Sequence, residues 1–439
     1  MKNGTIMDID KNTINKVMAI LREEVRPAEG CTEPIAIAYA AAKTKEVLGC
    51  EPDKMKVFVS GNIIKNVKSV VVPNSGGRIG IEVAAVMGAL LGKPELELMV
   101  IHDVTQTEMK KVVDWMKDHP IEVVHEHAPE KLYIRIELSA EEKTALVEIK
   151  LLHTNITRIE KDGKLIAKRA CTESSFNTPL TDRKILSVEL LYNMAKVIDI
   201  QLIKPIFERV IELNSNIAEE GLKETYGVNL GSCIMKTIGQ GFYGYDRKNV
   251  CASYAAAGSD ARMSGCAMPV MITSGSGNQG MTASLPLIKY CKEKKIDHDK
   301  LLRALFFSHL TTVHIKTKVG ELSAYCGAVC AAAAVSGAIA FLDDEDLNTV
   351  SNAIINTLGT ISGMICDGAK ASCAMKIATG IYAAFDGAML AQNNKSLHGG
   401  EGIVASNVEE TIRNIGELAS SGMQRTDDVI LDIMTHNRR

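Results

Sequence analysis

Aromatic residues are scarce in this chain, 4% of 439 residues with a single Trp. A core short of rings must close through Ala, Gly, Val, Ile and Met, which favours helices that approach one another closely. Charge of one sign is lacking as well, since 50 Lys+Arg face 53 Asp+Glu for a net charge of −3. That balance excludes the basic surface that nucleic acid or an anionic membrane demands, so neither is expected as a partner. Residues 1–11 are polar and charged, with no apolar stretch before a small-residue cleavage site. No secretory signal is read there, and a cytoplasmic setting is expected. The 11 Cys then make a poor disulfide framework and read as free core thiols, metal ligands or catalytic thiols. No repeat of fixed period and no low-complexity tract is present.

What is there describes a globular chain, 46% hydrophobic and 23% charged, of a length that suggests two or three domains. One charge-free run, 322–342, is long enough to cross a bilayer. Its Ala, Gly, Ser and Cys gain little in lipid, and an acidic stretch follows at 343–346, so it reads as a buried central helix. The pattern changes near residue 170. Before it, helices are predicted over 11–24, 35–48 and 81–91 and a strand over 55–60. From 95 to 166 the chain reads as strands in antiparallel hairpins with one short helix, beginning with a strand over 95–104. Asp162-Gly163 marks a hairpin turn, and 167–181 reads as a linker.

Beyond 182 helical segments follow over 186–197, 203–214, 281–292, 302–314, 324–342, 347–359 and 374–384. Pro286 is expected to kink or shorten the third. The expected architecture is an α+β domain at 1–170 and a mostly α-helical domain at 171–439 around an Ala/Gly-rich central helix.

Three groups of residues could carry chemistry. Cys326, Cys330, Cys366 and Cys373 gather in the helical part. The stretch CDGAKASC at 366–373 sets two thiols at the ends of a short turn, able to direct both sulfurs at one ion or cluster; gap-filling core thiols are the alternative. No paired C-x2-C of a zinc ribbon occurs. Two turns of small polar residues stand at helix starts: Asn74, Ser75, Gly76, Gly77 and Arg78, then Ser274, Gly275, Ser276, Gly277, Asn278 and Gln279. Backbone N–H groups there, with the helix dipole, suit a carboxylate or phosphate, though neither is a Walker loop. Glycines needed only for tight packing are the alternative. Asn62, where the first strand opens into a turn, joins these substrate-binding candidates.

The third group is Cys31, Thr32 and Glu33 ahead of Pro34. A thiol beside a helix N-terminus is favoured as thiolate, so Cys31 with Glu33 reads as an acid–base or ligand pair, or else as a buried Cys and a capping Glu. His125 and His127 read as surface residues, and His314 and His398 carry no assignment.

Five segments together carry a family resemblance: GCTEP at 30–34, VPNSGGRIG at 72–80, RMSGCAMPVMITSGSGNQGM at 262–281, KTKVGELSAYCGAVCAAAA at 316–334 and ISGMICDGAKASC at 361–373. The chain resembles the iron–sulfur-dependent L-serine dehydratase/L-cysteine desulfidase family, in its single-chain serine dehydratase alpha-family branch. The resemblance covers nearly the whole length. It implies a 4Fe–4S cluster held by Cys326, Cys366 and Cys373, with Cys330 as the competitor for Cys326, and an open iron acting as a Lewis acid.

It also implies that 1–170 corresponds to a dehydratase β-domain and the rest to its α-domain, with the substrate between them. Iron–sulfur serine dehydratases more widely carry a Ser-Ser-x-His-Thr loop where this chain has GCTEP, so no His base is supplied at that position. Cys31, with Glu33, then becomes the candidate for acid–base work or a fourth cluster contact. Thr32, Asn62 and the two Gly-rich turns remain for the substrate, with Arg78 as a charged partner. The expected reaction converts L-cysteine to pyruvate, ammonia and hydrogen sulfide. L-serine dehydration is the alternative, and a non-catalytic amino-acid sensor the alternative of another class. A homodimer is the assembly considered.

Overall fold

The computed structural model describes residues 9–169, 181–320 and 322–436, and the expected linker lies mostly outside them. The chain opens with α1 (Lys11–Glu24), whose start is fixed by the Asp10 carboxylate accepting the N–H groups of Asn12 and Thr13. It passes through β1 (Val25–Glu29) into α2 (Thr32–Leu48), β2 (Lys54–Val59), α3 (Gly61–Val67), α4 (Ile81–Leu91), α5 (Met109–Asp118) and β3 (Ile121–His125). The hairpin strands β4 (Tyr133–Ala140), β5 (Lys143–Lys150), β6 (Ile156–Lys161) and β7 (Lys164–Lys168) follow.

These strands build a six-stranded sheet in the order β3-β2-β4-β5-β6-β7. All neighbours run antiparallel except β2 and β3, which pair in parallel because the 60–120 crossover carries α3 to α5 between them. Asp162 and Gly163, at φ 50° and 71°, make the tight turn between β6 and β7. The buried helix α2 lies across β4 and β5 and against α4. That second contact needs Gly88, since a Cβ there would lie 2.1 Å from the Ala38 carbonyl oxygen.

The expected strand over 95–104 is not formed. Pro94–Met99 is a short 3-10 helix broken by Glu97 at φ 48°, and Leu98 within it and Val100 and Ile101 after it are buried without a strand's alternation. The C-terminal half comprises α6 (Val188–Val197), α7 (Ile200–Lys223), α8 (Leu230–Gly239), α9 (Arg247–Met263), the strand β8 (Pro269–Thr273), α10 (Gly277–Lys294), α11 (His298–Val319), α12 (Gly327–Leu342), α13 (Leu347–Ile361), α14 (Cys373–Gln392), α15 (Val408–Glu417) and α16 (Gln424–His436). Helix α10 runs through Pro286 without ending. Packing against α9, α11 and α12 outweighs the single backbone bond that the proline removes.

Every residue of α12 after Gly327 is buried among α10, α11, α13 and α14. Among the described residues no helix is long and apolar enough to cross a membrane. The halves are joined by a two-stranded antiparallel ribbon in which β1 pairs with β8, from Val25 opposite Thr273 to Glu29 opposite Pro269.

Candidate active site

A cavity of about 110 Å³ opens where the ribbon, the sheet and the helical half meet. That is room for several water-sized groups, hence for a small molecule. The loop ahead of α2 and its first turn contribute Cys31, Thr32 and Glu33; α3 contributes Lys65 and Asn66; the β5–β6 turn contributes His153. From the other half come Arg262, Ser274, Gly275, Ser276, Asn278 and Gln279, then Lys316, Tyr325 and Cys326, then Cys366, Cys373 and Lys376.

Glu33 is the hub of one wall. Its Oε2 accepts the Cys31 thiol at 3.1 Å, and its Oε1 accepts Asn66 Nδ2 at 2.9 Å. The Nε2 of His153 stands 3.8 Å from Oε1, and this buried nitrogen has no hydrogen-bond partner. Burial opposes ionisation of Glu33, yet the adjacent His153 and the Cys31 thiol hold it down at about 2, so the carboxylate is charged at neutral pH. Burial, and then the Glu33 charge, push Cys31 well above the ordinary thiol range. The helix dipole therefore does not deliver the thiolate expected from the sequence. Cys31 is a protonated donor.

The second wall is the turn between β8 and α10. Thr32 Oγ1 donates to the Gly275 carbonyl at 2.8 Å, which ties this turn to the start of α2. Gly275 presses on His153, since a Cβ there would lie 3.0 Å from the ring. Gln279 Nε2 donates to the Thr273 and Ser274 carbonyls at 3.2 and 3.3 Å, leaving its buried Oε1 without a partner.

Three thiols form the third wall. Cys326 is the N-cap position of α12 and not a residue inside the Ala-rich helix, while Cys330, one turn on, is fully buried and away from the cavity. The Cys326 N–H donates to the Met364 carbonyl at 3.1 Å and the Cys366 N–H to Ala324 at 2.6 Å, so the two loops run side by side. Gly368, at φ 99°, brings the 366–373 turn against α3, where a Cβ would lie 2.3 Å from the Lys65 carbonyl oxygen. Burial, then the neighbouring Cys366 and Cys373 thiols, push Cys326 up to about 12. Cys373 is raised by burial, with Lys376 and Arg262 opposing the shift.

Among the described residues no three His, Cys, Asp or Glu side chains close around one metal ion. Three thiols on one cavity, Cys326 buried and Cys366 and Cys373 partly so, with cations beside them are nevertheless the donor chemistry of a thiolate-bound cluster, whose ligands sit apart around the cluster's edge. Lys376 pairs with Asp367, and Lys65 donates to the Cys366 carbonyl at 3.3 Å and to Asp427 at 2.6 Å.

The other substrate-binding candidates lie elsewhere. Asn62 lines a neighbouring cavity with His125 and His127. Asn74 donates to Glu29 at 2.8 Å and to the Ile101 and His102 carbonyls, Ser75 bonds Arg78, and the exposed Arg78 donates back to the Ser75 carbonyl at 2.7 Å. None of these residues, nor Gly76 and Gly77, lines the cavity. This turn instead packs behind Gly30, whose Cβ would lie 2.1 Å from Pro73. Gly277 lies behind Arg262. His314 is buried and paired with Glu409 at 2.7 Å. Lys65, Asn66, His153, Arg262, Lys316 and Lys376 were not assigned from the sequence. Arg262 and Lys316 open two of the quoted segments, a signal that was available, whereas nothing around His153 in the sequence points to a cavity.

The family model for the serine dehydratase alpha chain matches residues 95–432. The chain belongs to that family. Its relatives include UPF0597 proteins: one of Fusobacterium nucleatum is 58% identical over 96% of this chain and 99% of its own length. One of Lachnoclostridium phytofermentans is 44% identical over 95% and 99%, and one of Treponema denticola 41% identical over 98% and 99%.

Proposed function

We propose that this protein is a lyase that removes the β-substituent of a small L-amino acid, with L-cysteine as substrate and L-serine as the alternative. The convergence of Cys326, Cys366 and Cys373 on one cavity with the Glu33–Cys31–His153 group carries the reading. Those three thiols would hold a 4Fe–4S cluster, which when bound supplies Lewis-acid polarisation of the leaving group.

The rest falls to side chains of the chain itself. The unpartnered Nε2 of His153 takes the α-proton, and the ionised Glu33 stabilises the imidazolium that results. Cys31 donates its S–H to Glu33 and Asn66 its amide, which fix the carboxylate in place. Loss of the α-proton and of sulfide leaves 2-aminoacrylate, which water converts to pyruvate and ammonia. The GCTEP loop, where the resemblance lies nearer the desulfidases, favours cysteine over serine.

The test is release of pyruvate from L-cysteine and from L-serine by protein purified without oxygen, with sulfide measured alongside. Turnover of either supports the lyase, and the faster one names the substrate. A folded, iron-replete protein that turns over neither removes the reading.

A further inference from the structure

Arg262 lies in the last turn of α9 and lines the cavity while 2% exposed. Among the described residues its guanidinium makes no ion pair and no hydrogen bond, and its Nε is buried without a partner. Of the other lysines of the cavity, Lys65 is paired with Asp427 and Lys376 with Asp367, while Lys316 spends its ammonium on the Gly320 carbonyl. A buried guanidinium with no counter-charge is costly, and an anion admitted to the cavity offsets that cost.

The position of Arg262 specifies where that anion sits. A Cβ on Gly277, the first residue of α10, would lie 2.4 Å from Arg262 Nε and 2.7 Å from its Cζ. The guanidinium therefore lies against the first turn of α10, where the positive end of an 18-residue helix adds to its charge. Arg262 lines the same cavity as Cys31 and Glu33 on one wall and Cys326 and Cys373 on another.

We infer that Arg262, with the N-terminus of α10, holds the α-carboxylate of the amino acid. A planar fork of donors suits a carboxylate in a bidentate grip, and anchoring that end leaves the Cα to His153 and the β-substituent to the thiols. The inference rests on the lyase reading for the identity of the ligand, and it moves the charged partner from Arg78 to Arg262.

Calorimetric titration without oxygen tests it. The probes are L-alanine, which has no β-leaving group, ethylamine, which is L-alanine without its carboxylate, and pyruvate. The wild type should bind L-alanine and not ethylamine. Arg262→Gln should weaken L-alanine by about tenfold or more at unchanged iron content, and Arg262→Lys, which keeps a charge for folding, should fall between. Wild-type affinity in Arg262→Gln overturns the inference, and so does loss of iron in both variants, which would assign the guanidinium to the thiols. Absence of any carboxylate binding by the wild type also overturns it. Arg262-dependent binding of pyruvate by a protein that neither binds L-alanine nor turns over an amino acid keeps the carboxylate subsite and removes the lyase.

Discussion

The turns at 74–80 and 274–280 are built from the same residue types, precede a helix, and each contain a non-glycine residue at positive φ, Asn74 at 59° and Ser274 at 47°. In the first, the side chains are spent locally, with Asn74 on Glu29 and on two carbonyls, and Ser75 and Arg78 on one another, and a single carboxyl oxygen, Glu29 Oε2, is left buried without a partner beside Asn74. In the second, polar groups are left over around the turn: Gln279 Oε1, His153 Nε2 and Arg262 Nε are all buried and unpartnered. A turn whose own side chains are spent on neighbouring groups is scaffold. One surrounded by unsatisfied groups is where a ligand belongs.

The largest expected effect falls on the second side of that comparison. Glu33→Gln takes the charge from His153 and Cys31 and should lower turnover by about 10²- to 10⁴-fold with iron content retained. Near-normal turnover would show that the carboxylate is only a helix cap. Gly277→Ala drives a methyl group into Arg262 and should cost about 1–3 kcal/mol of stability by denaturant unfolding. Its turnover should fall at least about tenfold, because a buried charge is displaced.

The first turn should answer in stability alone. Burial pushes Glu29 up to about 8 from its ordinary 4.5, so between those values the folded protein keeps a proton that the unfolded chain has released. Stability therefore falls as pH rises from about 4.5 to about 8. Glu29→Gln should flatten that part of a melting-temperature profile, and an unchanged slope would place its origin in other groups. Gly76→Ala, at φ 69°, should cost about 1 kcal/mol and leave turnover intact. Smallest of all, Arg78→Ala should stay within about 0.5 kcal/mol and leave turnover intact. A Michaelis constant raised tenfold or more in Arg78→Ala would break the comparison.

Much of the fold was legible because its helices are periodic or capped: α1 and α4 agree with the pattern, and β4 to β7 pair as antiparallel hairpins as expected. Helix α9 was missed because it is buried almost all round, and such a helix shows no amphipathic period. The ribbon of β1 and β8 was missed because each strand is five residues long, contains a proline, and pairs only across the two halves. That ribbon brings the site together. Four cysteines and the Cys31–Glu33 pair could be read as candidate chemistry from their spacing, and the family resemblance singled out Cys326, Cys366 and Cys373, but His153 and Arg262 are ordinary residues until long-range packing buries them beside the rest.

The most direct measurement is iron and acid-labile sulfide per chain in protein purified without oxygen, for the wild type, Cys366→Ser and Cys330→Ser. About four irons in the wild type and in Cys330→Ser, with loss in Cys366→Ser, is the expected result. Iron retained by a doubly substituted Cys366→Ser/Cys373→Ser protein, or a folded wild type that takes up no iron even on reconstitution, would contradict the three-thiol site.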